Sequence, residues 1–208
     1  MKTCGDSCVS AGREGVPGAY AFFARYVLMP WQSCLDVGGG MGIGLSILRR
    51  RSPCVKAIDM DARLLTFGVE VGRVEDEPTG GYDWVLAVDV IEHVENDKEF
   101  LGELFRVARK GVYLSTPNIE HHPDRLWHYH VREYSPVAFR QMVKTTCPLG
   151  RIYHFGGSTY GGDMSQQNLG TDWEHQMLVC FKRGGLVTGG LFYVREWLLK
   201  RFRKHKQS

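Results

Sequence analysis

No uninterrupted apolar run of about 18 residues occurs, which excludes an ordinary membrane-spanning helix. The first 15 residues have no apolar core, so no secretory leader is expected there, and a cytoplasmic location follows as the expectation. No second Cys/His pair with zinc spacing accompanies Cys4 and Cys8, so the six cysteines do not read as a zinc module. Cys34, Cys54 and Cys180 lie in apolar, strand-like runs and are expected to be buried thiols. Net positive charge is lacking outside one end. Residues 195–208 hold six Lys/Arg against one Glu, more than the whole net charge of +3, so the remainder is slightly acidic. A polybasic nucleic-acid surface is therefore not expected on the body of the chain. At 208 residues the simplest organisation is one domain with a substantial core.

What is present is a glycine-rich corner. Cys34-Leu35-Asp36-Val37-Gly38-Gly39-Gly40-Met41-Gly42-Ile43-Gly44 reads as the end of a buried strand, a tight turn and a helix start. Residues 43–51 then have helical spacing, with Ile43, Ile47 and Leu48 on one face. Strand, glycine turn and helix N-terminus make a nucleotide-binding corner. Asp36 precedes the glycines, giving Asp-x-Gly-x-Gly-x-Gly. Asp59 follows a second apolar run, where an acid can hold ribose hydroxyls, with Met60 beside it. Residues 84–88 form a continuous apolar run, as expected for a central parallel strand. Asp89, Glu92 and His93 follow it, at the edge where α/β sheets bind ligands.

With Asp-x-Gly-x-Gly-x-Gly, Asp59 and Asp89-Val90-Ile91-Glu92-His93-Val94 in this order, residues 18–182 resemble the class I S-adenosylmethionine (SAM) methyltransferases. The resemblance implies an α/β fold: a Rossmann-like, doubly wound sheet of seven strands, mostly parallel, with an antiparallel last strand. It divides the chain into a disordered tail (1–16), a methyltransferase domain (17–184) and a basic amphipathic helix and tail (185–208). It implies SAM as cofactor, held by Asp36, Gly38, Gly40, Gly42, Asp59, Met60, Glu75 and Asp89. Between Glu75 and Asp76, either can accept from the adenine amino group.

The remaining segments place the acceptor side. Strands are expected at 33–37, 55–58, 69–74, 112–114, 151–155 and 176–181, and helices at 20–28 and 100–107. Asp61 suits the N-cap of the next helix. Ser135-Pro136 starts a further helix, with Ser as N-cap and Pro at the first helical position. Before it, Glu120 to Tyr134 holds four of the eight histidines. His93 is the expected general base, tuned by Glu92, with capping of its turn as the plainer role. Asp89, Glu92, His93 and His130 together resemble the divalent-metal site of small-RNA 3′-end 2′-O-methyltransferases, with Asp89 standing where that family carries glutamate. The segment His130-Val131-Arg132-Glu133-Tyr134 also resembles bacterial methyltransferases of cell-surface glycan and lipid-linked sugar pathways. A similar Glu-His-Val segment occurs in ubiquinone-pathway O-methyltransferases. The acceptor expected from these resemblances is a small-molecule or glycan/lipid-linked hydroxyl. His130 and Arg132 then either face it or pin the loop. A helix over 186–204 can lie on an anionic membrane surface or dock on the domain.

Overall fold

The computed structural model describes residues 17–121, 129–146, 149–157 and 175–182. The expected tail at 1–16, residues 122–128 of the histidine-rich segment and the expected C-terminal helix lie outside them. Among the described residues the seven strands are β1 (Cys34–Val37), β2 (Val55–Asp59), β3 (Glu70–Val71), β4 (Tyr82–Val88), β5 (Ala108–Pro117), β6 (Leu149–Gly157) and β7 (His175–Lys182). They form one sheet in the order β3-β2-β1-β4-β5-β7-β6. Only β7 runs against the others: it pairs antiparallel with both β5 and β6. Among the described residues, four α-helices accompany the sheet: α1 (Pro17–Tyr26), α2 (Ile43–Arg49), α3 (Asp97–Val107) and α4 (Pro136–Thr146).

The uninterrupted apolar run in β4 has a direct structural reason. Successive side chains point to opposite faces, and both faces are covered. Trp84, Leu86 and Val88 join the core under α1 and α2, with Phe23, Tyr113 and Phe181. Val85 and Ala87 join the core under α3 and α4, with Leu101, Leu104 and Phe139. Phe23 meets Trp84 edge-on at 5.5 Å between ring centroids, and the Tyr113 hydroxyl donates to the Ala19 carbonyl at 3.0 Å. These contacts seat α1 beside the glycine turn.

Gly44 is fixed by that seating. A Cβ there would lie 2.2 Å from Tyr20 Cε1 and 2.8 Å from Asp36 Oδ2, and both of those residues are buried. Gly44→Ala is therefore expected to destabilise the fold by about 1–3 kcal/mol through overpacking. Denaturant melts of the two proteins check this.

Several expectations shift. The third strand is only Glu70–Val71, followed by a 3₁₀ turn at Val74–Asp76. The Arg106 guanidinium, reaching across from α3, takes the carbonyls of Val74, Glu75 and Glu77 and draws that segment into a turn. The helix expected after Asp61 is a 3₁₀ turn, Ala62–Phe67, and Asp61 Oδ1 still accepts the Arg63 amide at 3.0 Å. β5 is longer than expected because β4 and β7 pair with it on both sides. Cys54 is exposed, whereas Cys34 and Cys180 are buried. It sits just before β2, where its carbonyl, not its thiol, is engaged, accepting from the Cys34 amide at 2.9 Å. The Ser135 cap forms as expected, its hydroxyl accepting the Ala138 amide at 3.2 Å.

Candidate active site

The donor side is built from the ends of β1 and β2. Gly38, Gly40 and Gly42 have φ of 74°, 50° and 73°, the left-handed region that favours glycine. Gly38 and Gly39 amides both donate to the Ile58 carbonyl, folding the turn back over β2. Asp59 closes it: Oδ2 accepts the Gly40 amide at 3.1 Å and Oδ1 the Asp61 amide at 3.0 Å. Asp36 is fully buried one layer beneath. Its Oδ1 accepts the Tyr20 hydroxyl at 3.1 Å, and its Oδ2 has no hydrogen-bond partner. Burial raises the Asp36 carboxyl to about 7, against the opposing Tyr20 hydrogen bond. Met60 is largely exposed, and Glu75 lies in the 3₁₀ turn, 3.5 Å from Arg73.

The raised Asp36 has a signed consequence. The folded state keeps this proton to about pH 7, while an unfolded carboxyl releases it near 3.8. Folded protein thus binds more protons between those values, and stability falls as pH rises through them. Asp36→Asn is expected to make that slope shallower, measured by chemical denaturation across the same pH range.

The other half of the site, with Asp89 on the donor side and the histidines on the acceptor side, is built from the end of β4 and the segment before α4. Asp89 follows β4 with φ 53°, the only positive φ among described non-glycine residues. That conformation costs roughly 1–2 kcal/mol for most residues and less for Asp or Asn. Its Oδ1 accepts the Ser115 hydroxyl at 2.6 Å, and its Oδ2 meets His175 Nε2 at 2.9 Å. Burial opposes charge on Asp89, but His175 and Ser115 outweigh it and hold the carboxyl below its ordinary range.

Glu92 behaves oppositely. It is fully buried, and neither carboxylate oxygen has a hydrogen-bond partner. Burial, then the charge of Asp89, pushes it well above the ordinary carboxyl range. Its own amide and the Thr116 hydroxyl temper the rise without closing a well-formed bond. Its carbonyl accepts the Val131 and Arg132 amides at 2.8 and 3.3 Å, clamping the histidine segment to the β4 turn.

His93 and His130 meet there edge to face, 4.8 Å between ring centroids, and Tyr129 stacks on His93. His93 Nδ1 lies 3.1 Å from the Tyr129 carbonyl, which can only accept, so Nδ1 carries the proton and the lone pair sits on Nε2. Burial lowers His93 below its ordinary value. His130 Nδ1 lies 2.6 Å from Glu133. Burial pushes His130 down to about 4, with the charge of Asp89 pulling the other way and His175 adding to the fall. One ligand atom from each of Glu92, His93 and His130 lies within 4.8 Å of the others. Asp89 is outside this trio, turned instead toward Ser115 and His175. Arg132 pins the loop, pairing with Asp97 and the Glu95 carbonyl, while the Tyr134 hydroxyl donates to Asp97 at 2.9 Å.

The sequence reading missed His175. The available signal was topological. An antiparallel strand presents its first residue, not its last, at the edge where the parallel strands end. His175 opens β7 opposite Pro117, the last residue of β5.

Comparison with known proteins agrees with this geometry. The methyltransferase domain family matches residues 16–169. A protein of Mycolicibacterium smegmatis named a probable S-adenosylmethionine-dependent methyltransferase is 27% identical over 175 residues, covering 69% of this chain and 68% of that one. A SAM-dependent methyltransferase from Thermotoga maritima shares the fold with a TM-score of 0.65 at 14% identity, covering 86% of this chain and 94% of that one. The plantazolicin methyltransferase, solved in complex with SAH, does so with a TM-score of 0.61 at 16% identity, covering 88% and 92%. The chain belongs to the methyltransferase domain family and is a SAM-dependent methyltransferase of the Rossmann-like class.

Proposed function

We propose that the chain methylates a hydroxyl on a small molecule or on a glycan- or lipid-linked sugar, with His93 as general base. The observation that carries this reading is the His93 tautomer. Its Nδ1 proton is committed to the Tyr129 carbonyl, and burial disfavours the charged ring. A neutral imidazole with its lone pair on Nε2, at the end of the central strand, is equipped to take a hydroxyl proton. SAM supplies the electrophilic methyl group on a cationic sulfonium. The residues fit it: the space beside Gly40 is open, and Asp36 Oδ2 is a buried acceptor without a partner. Asp59 would hold the ribose and the glycine turn the methionine end, with Asp89, whose carboxyl is held below its ordinary range, adding negative charge for a cationic ligand. Met60 and Glu75 would complete the adenosine side. A cytoplasmic enzyme is consistent with the described helices, none of which is long and apolar enough to cross a membrane.

A second reading is a metal-assisted 2′-O-methyltransferase acting on RNA. The Glu92–His93–His130 trio favours it. Both histidines donate Nδ1–H to an oxygen, as metal-bound histidines commonly do. A divalent ion held there would lower the pKa of a bound hydroxyl. The slightly acidic body of the chain weighs against RNA. Methyl transfer from labelled SAM to hydroxylated acceptors, with a chelator present, tests the first reading. Persistent transfer supports it; transfer restored only by a divalent ion, to an acceptor bound in a steeply salt-dependent way, replaces it with the second.

A further inference from the structure

We infer that His175 is a positioning residue of the donor cleft, holding the Asp89 carboxylate in place through the Nε2–Asp89 hydrogen bond. The inference rests on reading Asp89 as a donor-side carboxylate and goes beyond it by naming what keeps that carboxylate there.

Three strand ends converge on this one side chain. Asp89 leaves β4 in a left-handed conformation, and its amide lies 3.2 Å from both the carbonyl and the hydroxyl oxygen of Ser115 in β5. The Ser115 hydroxyl donates to Oδ1, and His175, opening β7, takes Oδ2. Both carboxylate oxygens are thereby oriented by groups on neighbouring strands. The surroundings would otherwise work against a charged Asp89. It is half-buried, its charge is opposed by desolvation, and Glu92 is close enough that the charge on Asp89 raises the Glu92 carboxyl. The His175 Nε2 contact at 2.9 Å is the partner on Oδ2 that offsets this crowding. The arrangement matters most for a ligand carrying positive charge. A carboxylate that is fixed before binding costs little reorganisation when the cation arrives.

The test measures binding alone, so it needs no acceptor. SAM and its neutral thioether product SAH are titrated calorimetrically into the full chain and into His175→Ala, His175→Gln and Asp89→Asn. His175→Ala is expected to weaken SAM binding about tenfold, the loss of one hydrogen bond to a charged group. The loss for SAH should be smaller, because SAH lacks the sulfonium charge. His175→Gln, whose amide nitrogen reaches toward the Nε2 position, should recover most of the affinity. Wild-type affinity in His175→Ala, equal losses for SAM and SAH, or no recovery in His175→Gln would each overturn the inference. If Asp89→Asn loses SAM affinity while His175→Ala keeps it, the His175 inference alone falls. If Asp89→Asn also binds normally, the reading of Asp89 falls with it. Should His175→Ala fail to fold, His175→Asn, whose amide is too short to reach Asp89, takes its place under the same outcomes.

Discussion

Asp59→Ala is expected to raise the Kd for SAM at least about 100-fold, enough to abolish measurable binding by equilibrium dialysis. Two losses combine. The carboxylate is the intended acceptor for the ribose hydroxyls, a pair of charge-assisted hydrogen bonds. It also organises the protein before any ligand arrives, because its oxygens accept the Gly40 and Asp61 amides at 3.1 and 3.0 Å. Removing it releases the left-handed turn at Gly38, Gly40 and Gly42 from β2 at one anchor, leaving the Ile58 carbonyl as the other. Asp59→Asn separates the two effects. Its amide oxygen can keep one backbone bond while the paired acceptor is lost, so an intermediate affinity is expected.

His93→Ala has the opposite profile: donor binding within about twofold of wild type, and turnover down by about 10²–10⁴, the usual range for a lost general base. The separation follows from position. His93 belongs to the 3₁₀ turn after β4 and contacts Tyr129 and His130, whereas the glycine turn and Asp59 belong to β1 and β2. Single-turnover methyl transfer, read beside donor affinity for the same protein, checks both halves of this expectation. Full activity in His93→Ala would leave His93 as a structural cap on its turn.

The residues that were legible in the sequence are those whose role is local. The spaced glycines need positive φ within five residues, and Asp59 follows its strand directly. Ser135 caps the helix it precedes, and the two-sided burial of β4 is written into five consecutive apolar residues. What was not legible depends on distant chain segments. The third strand is cut short by Arg106, which lies about thirty residues further on. Asp89 was expected beside Glu92 and His93, but His175, 86 residues away, turns it elsewhere. His130 reaches His93 because the Glu92 carbonyl takes the amides of the next two residues. Sequence spacing suggested that partnership only through resemblance; the backbone hydrogen bonds supply its physical cause. Gln176 is a similar case. It is fully buried, and its amide donates to the Pro117 and Tyr134 carbonyls, tying β7 to the segment that carries His130.

The measurement that tests the account most directly is a calorimetric titration of SAM into the full chain with a chelator present. The account predicts one equivalent bound without any divalent ion, and the same heat after magnesium, manganese or zinc is restored. Absence of SAM binding under every condition would contradict it, because the turn, Asp36 and Asp59 would then hold no donor for His93 to serve.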